Sequence, residues 1–154
     1  MKMFNLYGDE WDERRDRDGW RIKEVFVGQR IVGQRIGASM SEVEPGAKLC
    51  PYHAHHAYEE WIIVLRGDPT LRAPGGEHSL REGDVVCFPR GTGGAHQIIN
   101  RTASAIRVLM LSTAIQPDVV EYLDTGRILA HDAKGEYIMF AKPGPASDYW
   151  EGEG

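Results

Sequence analysis

Apolar residues in this chain come in short stretches broken by turn residues, and none of the stretches sustains the 3.6-residue period of an amphipathic helix. From Trp20 onward, β-prone runs alternate with Gly, Pro, Asn and Asp clusters roughly every 8–12 positions. Strands are predicted over residues 22–27, 34–43, 49–55, 60–65, 70–73, 78–80 and 85–88. Residues 95–100 and 105–112 read as a hairpin turned at Asn100-Arg101-Thr102, and 116–123 fits a short helical turn or a strand equally. Many short strands with regular turns predict an all-β antiparallel sandwich or barrel.

The ends differ from the middle. Residues 1–20 are polar, with charges of both signs, and are expected to form a charged N-terminal arm anchored at Trp11 and Trp20. Residues 21–141 make one β domain, and 142–154, opening Lys142-Pro143-Gly144-Pro145, an extended C-terminal tail. A length of 154 residues suits a single core, and 18 glycines with 8 prolines supply the turns. The net charge of −5 argues against a nucleic-acid partner. No apolar run approaches the roughly 20 residues of a membrane helix, so no membrane partner and a cytoplasmic location are expected. Cys50 and Cys87 make no disulfide framework. Both are expected as free thiols, Cys50 as a small buried hydrophobe and Cys87 in the core of its strand. His78 and His131 lack spaced partners and read as surface residues.

Candidate chemistry concentrates in Pro51-Tyr52-His53-Ala54-His55-His56-Ala57-Tyr58-Glu59-Glu60-Trp61. Strand residues two apart share a face, so His53 and His55 can present both imidazoles together. Glu60 opens the next strand, with Ile62 and Val64 on its face and Trp61, Ile63 and Leu65 on the other. His96 opens a later strand and offers a third imidazole. Three imidazoles and a carboxylate without a thiolate suit an open divalent transition-metal site rather than a closed structural zinc site. Spacing alone leaves the other reading open, in which His53 and His55 are exposed on an edge strand and His96 is an isolated histidine. On the strand before these, Arg35, Ser39 and Ser41 share a parity opposite to Met40, and either set can face inward.

Two motifs add to this. Gly46, His53-Ala54-His55, Glu60 and Gly67 follow the pattern G-x(5)-H-x-H-x(3,4)-E-x(6)-G. Gly83, Pro89, Gly91, His96 and Asn100 follow G-x(5)-P-x-G-x(2)-H-x(3)-N. On these the chain resembles a small single-domain cupin, with the resemblance extending to Glu59-Glu60-Trp61 and the Asp148-Tyr149-Trp150 tail. It departs by one extra residue before His53 and two before His96, both in loops. Glu59 rivals Glu60, but the six residues before Gly67 count back to Glu60.

The resemblance implies a double-stranded β-helix (jelly-roll) barrel and one divalent transition metal ion (Zn, Mn, Fe, Ni, Co or Cu) on His53, His55, Glu60 and His96. It implies a metal-dependent enzyme acting on a small molecule inside the barrel, of isomerase, lyase or dioxygenase type. The alternative is a non-catalytic module that binds or senses a small molecule or sugar. A homodimer is expected, with Trp61, Ile63 and Leu65 as an apolar face for a partner copy to cover.

Overall fold

The computed structural model of the protein describes residues 1–142 and 144. The Asp148-Tyr149-Trp150 tail lies outside the described residues. Thirteen strands follow in order: β1 (Glu13–Arg17), β2 (Trp20–Val25), β3 (Gly37–Val43), β4 (His53–His55), β5 (Glu60–Arg66), β6 (Thr70–Ala73), β7 (Gly76–Ser79), β8 (Val85–Phe88), β9 (Gln97–Ile99), β10 (Ile106–Ser112), β11 (Asp118–Tyr122), β12 (Arg127–His131) and β13 (Tyr137–Ala141). A single helical turn, α1 (Val27–Arg30), separates β2 from β3. Among the described residues no helix is long and apolar enough to cross a membrane.

One six-stranded antiparallel sheet has the order β1-β2-β3-β10-β5-β8. Facing it, β13-β12-β11-β4 and β7-β6-β9 are joined into one layer by the bridge between His53 and His96. This is the expected all-β cupin barrel architecture. The 95–100 and 105–112 segments do not form the predicted hairpin. β9 pairs with β6, whereas β10 pairs with β3 and β5, so the chain crosses from one layer to the other at Asn100. The Asn100 amide donates to the carbonyls of Val43 and Ser104, satisfying the backbone at this corner where no ladder can.

The register of the large sheet sorts its side chains, because directly paired residues share a face. One inner row runs Glu24, Ser41, Val108, Val64, the next Ser39, Met110, Ile62, Val86, and the third Ser112, Glu60, Phe88. The lumen is therefore apolar at one end, where Ile22, Val43, Ile62, Ile98, Ile106 and Val108 pack, and polar at the end that carries Glu60. Ser39 and Ser41 take the inner positions, Met40 packs in the outer cluster, and Arg35 is exposed.

The outer face holds a charged row. Glu42 is 6% exposed and accepts from Lys23 at 2.8 Å, Arg107 at 2.9 Å and Arg66 at 2.5 Å. Arg107 also donates to the carbonyls of Leu6 and Gly8, and both Arg107 and Lys23 lie over the Trp11 ring. Phe4, Leu6 and Trp11 pack on Val25, Met40, Leu65 and Leu109. Thus residues 1–20 are more than a solvated arm. They carry strand β1, and they cover much of the face expected to meet a partner copy, leaving Trp61 44% exposed.

Two further placements differ from expectation. Cys87 is exposed rather than in the core, because its parity on β8 is opposite to that of inward Val86 and Phe88. His131 is half-buried, with both ring nitrogens buried and without partners among the described residues, because it lies on the unanticipated β12.

Burial alone would raise the Glu42 carboxyl, but hydrogen bonds from Lys23 and Arg107 outweigh it and hold it below the ordinary carboxylate range. Its stabilisation is present above that range and is lost as pH falls through the lowered value. Glu42→Gln leaves the Arg107 guanidinium buried without a counter-charge and is expected to cost about 3 kcal/mol at neutral pH. Urea unfolding at several pH values checks this, with the gap between wild type and variant closing in acid.

Candidate metal centre

His53 and His55 project from β4 with the period of two that places both on one face, and β4 is held between β11 and the bridge to His96. Glu60 is the first residue of β5, on the inner row beside Phe88. His53, His55 and Glu60 each offer a ligand atom, and these atoms all lie within 4.8 Å of one another. His96 comes from the far side of β4, its ring centroid 4.6 Å from that of His53 and its Nε2 3.2 Å from Glu60 Oε2. His55 Nε2 is 3.5 Å from the same oxygen. His96 thus approaches the same Glu60 oxygen as His55, while the ligand atoms within 4.8 Å of one another are those of His53, His55 and Glu60. Glu59 stands apart: its carboxylate accepts from the exposed Trp61 indole at 2.7 Å, on the outer side of the strand.

The hydrogen bonds around the rings decide which nitrogen is free. His53 Nδ1 is 2.9 Å from the Pro51 carbonyl, His96 Nδ1 3.0 Å from the Gly94 carbonyl, and His55 Nδ1 2.6 Å from Asp118 Oδ2. Carbonyl and carboxylate oxygens only accept, so each Nδ1 carries the proton and each Nε2 of a neutral ring keeps its lone pair. With the rings neutral, the three Nε2 lone pairs lie on the side of the Glu60 carboxylate. His96 Nε2 is buried, and the polar group beside it is the Glu60 carboxylate at 3.2 Å. A cation is what such a cluster lacks, and its nitrogen and oxygen donors suit a divalent first-row ion.

Electrostatics agree with the geometry. Burial, then the neighbouring His96 and His55, pushes His53 down to about 4, so its ring is neutral at physiological pH. Burial alone would raise Glu60, but His96, His55 and His53 outweigh it and keep the carboxyl below its ordinary range. Burial pushes the nearby Cys50 thiol up to about 12, which leaves no thiolate to compete as a soft ligand.

Aromatic rings and one glycine fix the orientations. Phe88 stacks on His96 at 3.9 Å and Tyr58 on His55 at 4.1 Å. Gly94 packs so closely under Pro89 that a Cβ would lie 1.8 Å from its carbonyl oxygen, so only glycine lets the loop present its own carbonyl to His96. Asp118 escaped the sequence reading. It lies 63 positions from His55, and only the β11–β4 pairing brings it near. Its other oxygen accepts from the Ala57 amide at 2.9 Å. Glu24 and Arg15 escaped for the same reason. They line a cavity of about 250 Å³ with Ser39, Ser41, His53 and Glu60.

Residues 39–112 match the Cupin domain family, Cupin_2. The chain is a cupin-domain protein. Among solved structures, this cupin is similar to a protein from Acidithiobacillus ferrooxidans provisionally assigned as a sugar phosphate isomerase. Identity is 26% and the TM-score 0.76, over 84% of this chain and 81% of that one. It is similar also to a cupin-superfamily sugar phosphate isomerase from Silicibacter pomeroyi, with 27% identity and a TM-score of 0.75, over 87% and 83% of the two chains. The polyketide cyclase RemF from Streptomyces resistomycificus shares the fold at 18% identity and a TM-score of 0.61, over 98% and 91%. No curated protein matches the chain.

Asp118→Asn tests how the His55 ring is held. An amide at this position can accept from Ala57 only by turning its NH₂ group toward His55 Nδ1, which favours the tautomer whose Nε2 is blocked by a proton. The expected result is a 10–100-fold loss of divalent-metal affinity, read by competition with a chromophoric chelator, with the fold retained by circular dichroism. Unchanged affinity would show that Asp118 does not orient the ring.

Proposed function

We propose that this cupin is a metal-dependent enzyme that isomerises a small sugar phosphate inside its barrel, with the ion held by His53, His55, Glu60 and His96. The observation that carries the reading is the convergence of the His53, His55 and His96 rings on the Glu60 carboxylate at the polar end of the lumen. The two similar structures described as sugar phosphate isomerases, each matched over more than four-fifths of its length, support the choice of reaction.

A divalent ion held at this point supplies Lewis acidity to a substrate carbonyl and stabilises negative charge on its oxygen. The chain's own residues do the rest. Ser39, Ser41 and Ser112 lie on the inner rows beside Glu60 and can hydrogen-bond the hydroxyls of a polyol. Val64, Val86, Ile62 and Val108 close the lumen beneath them and exclude water. A second cavity of about 310 Å³ reaches Glu60 from the α1 side, lined by Gln29, Gln34, Arg35, Ser39 and Ser112. Arg35 gives its mouth a positive charge suited to a substrate's phosphate.

The proposal also includes a cytoplasmic homodimer. Two unpaired thiols suit a reducing compartment. Ile36 and Trp61, which share an apolar patch with Leu111, remain 62% and 44% exposed and are available to a second copy.

Elemental analysis of protein purified without added metal, followed by assay with aldose and ketose phosphates, tests the function. The expected result is close to one divalent ion per chain and interconversion that stops on chelation and returns with metal. Oxygen consumption with no isomerisation would favour the dioxygenase branch instead. A rise in melting temperature with sugar phosphates and no turnover would make the protein a binding module.

A further inference from the structure

Glu24 is a half-buried carboxyl of the large sheet. On β2 it pairs with Ser41 across β3 and with Glu13 across β1, which sets its side chain on the inner face of the large sheet. There it lines the cavity of about 250 Å³ that His53 and Glu60 also line. It does not belong to the cluster of ligand atoms formed by His53, His55 and Glu60. Its surroundings are polar: Ser39 and Ser41 line the same cavity, and Arg15 is the cation beside it. Ser41 is 1% exposed, and its Oγ has no partner among the described residues. A buried hydroxyl without a partner is costly unless something in the cavity bonds to it.

We propose that Glu24 is the catalytic acid and base of this cavity, carrying a proton between adjacent carbons of an α-hydroxy carbonyl substrate whose hydroxyls are held by Ser39 and Ser41. The assignment rests on the isomerase reading above. In the aldose-to-ketose direction the Glu24 carboxylate takes the proton from the carbon next to the carbonyl. The C–H electron pair becomes the carbon–carbon π bond of an enediolate, and the carbonyl π pair moves onto its oxygen. The protonated Glu24 then delivers the proton to the former carbonyl carbon. The hydroxyl proton on the neighbouring oxygen passes to the oxygen that took the charge, so no atom is gained or lost. Burial raises the Glu24 carboxyl above its ordinary range, and Glu13 adds to this. Arg15 and Ser39 oppose the rise without cancelling it. The groups around it are Glu13 and Arg15 from β1, Ser39 and Ser41 from β3, and Cys50, His53 and Glu60 on the same cavity. A carboxyl poised in this way suits proton transfer near neutral pH better than an ordinary one.

The test compares wild type, Glu24→Gln and Glu24→Asp, all loaded with the same divalent metal. They are assayed in D₂O with glucose 6-phosphate, mannose 6-phosphate and ribose 5-phosphate as probes. Wild type is expected to place solvent deuterium at the exchanging carbon. Glu24→Gln should lower kcat by about a hundredfold or more, abolish deuterium incorporation, and keep wild-type metal content and melting temperature. Glu24→Asp should retain partial exchange. A second readout needs no turnover: infrared titration of chelator-treated protein, wild type minus Glu24→Gln, is expected to show a carboxyl still protonated above the ordinary carboxylate range. Activity of Glu24→Gln within threefold of wild type, conversion that retains all of the substrate's own hydrogen, or an ordinary titration would each overturn the role of Glu24 while leaving the isomerase reading intact. Absence of turnover by wild type on every probe would overturn both.

Discussion

A group of hydrogen-bond acceptors that face one another is the constraint around which this structure is organised. Each of three imidazoles turns its Nδ1 to an oxygen outside the cluster: the Pro51 carbonyl, the Gly94 carbonyl and the Asp118 carboxylate. What remains on the inside is three nitrogen lone pairs and the Glu60 carboxylate, closely spaced and largely shielded from water. Such an arrangement is electrostatically unfavourable by itself and favourable around a cation. The proposed metal centre is the simplest condition under which these side chains suit their backbone.

The rest of the fold serves that convergence. β4 carries two of the imidazoles and β5 the carboxylate, in opposite layers, and the corner at Gly94 delivers the third imidazole beside β4. The two layers must keep a fixed separation, which the apolar end of the lumen secures through Ile62, Ile98, Ile106 and Val108. On the outside, the row Lys23, Glu42, Arg107 and Arg66 ties four neighbouring strands together and clamps the N-terminal segment over them. The polar end of the lumen, with Ser39, Ser41, Ser112 and Glu24 on consecutive inner positions, is left as the place where a hydroxyl-rich substrate can be bound.

Much of this was legible in the chain, for physical reasons that also explain the failures. β6 and β8 fall where the turn residues bracket them, because Gly, Pro and Asp clusters act locally. The parity rule placed Ile62 and Val64 beside Glu60, since strand alternation needs no tertiary information. The His53, His55, Glu60 and His96 set was visible only with the spacing of the two motifs, because no local rule brings position 96 to position 53. What failed was non-local. The apparent hairpin around Asn100 is a crossing between layers, the outward parity of Cys87 is hidden because both faces of its strand are apolar, and strand β1 is held by pairing with β2 rather than by any apolar pattern of its own. Asp118, Arg15 and Glu24 had no sequence signal, since their roles come from strand pairing alone.

The central claim is that three imidazole nitrogens and one carboxylate oxygen bind a single ion. X-ray absorption spectroscopy of the metal-loaded protein tests it most directly. The account predicts a first shell of nitrogen and oxygen at about 2.0–2.2 Å, with outer-shell scattering that fits three imidazole rings and no sulfur. A spectrum fitted by one imidazole or none, or by a sulfur scatterer, would contradict it.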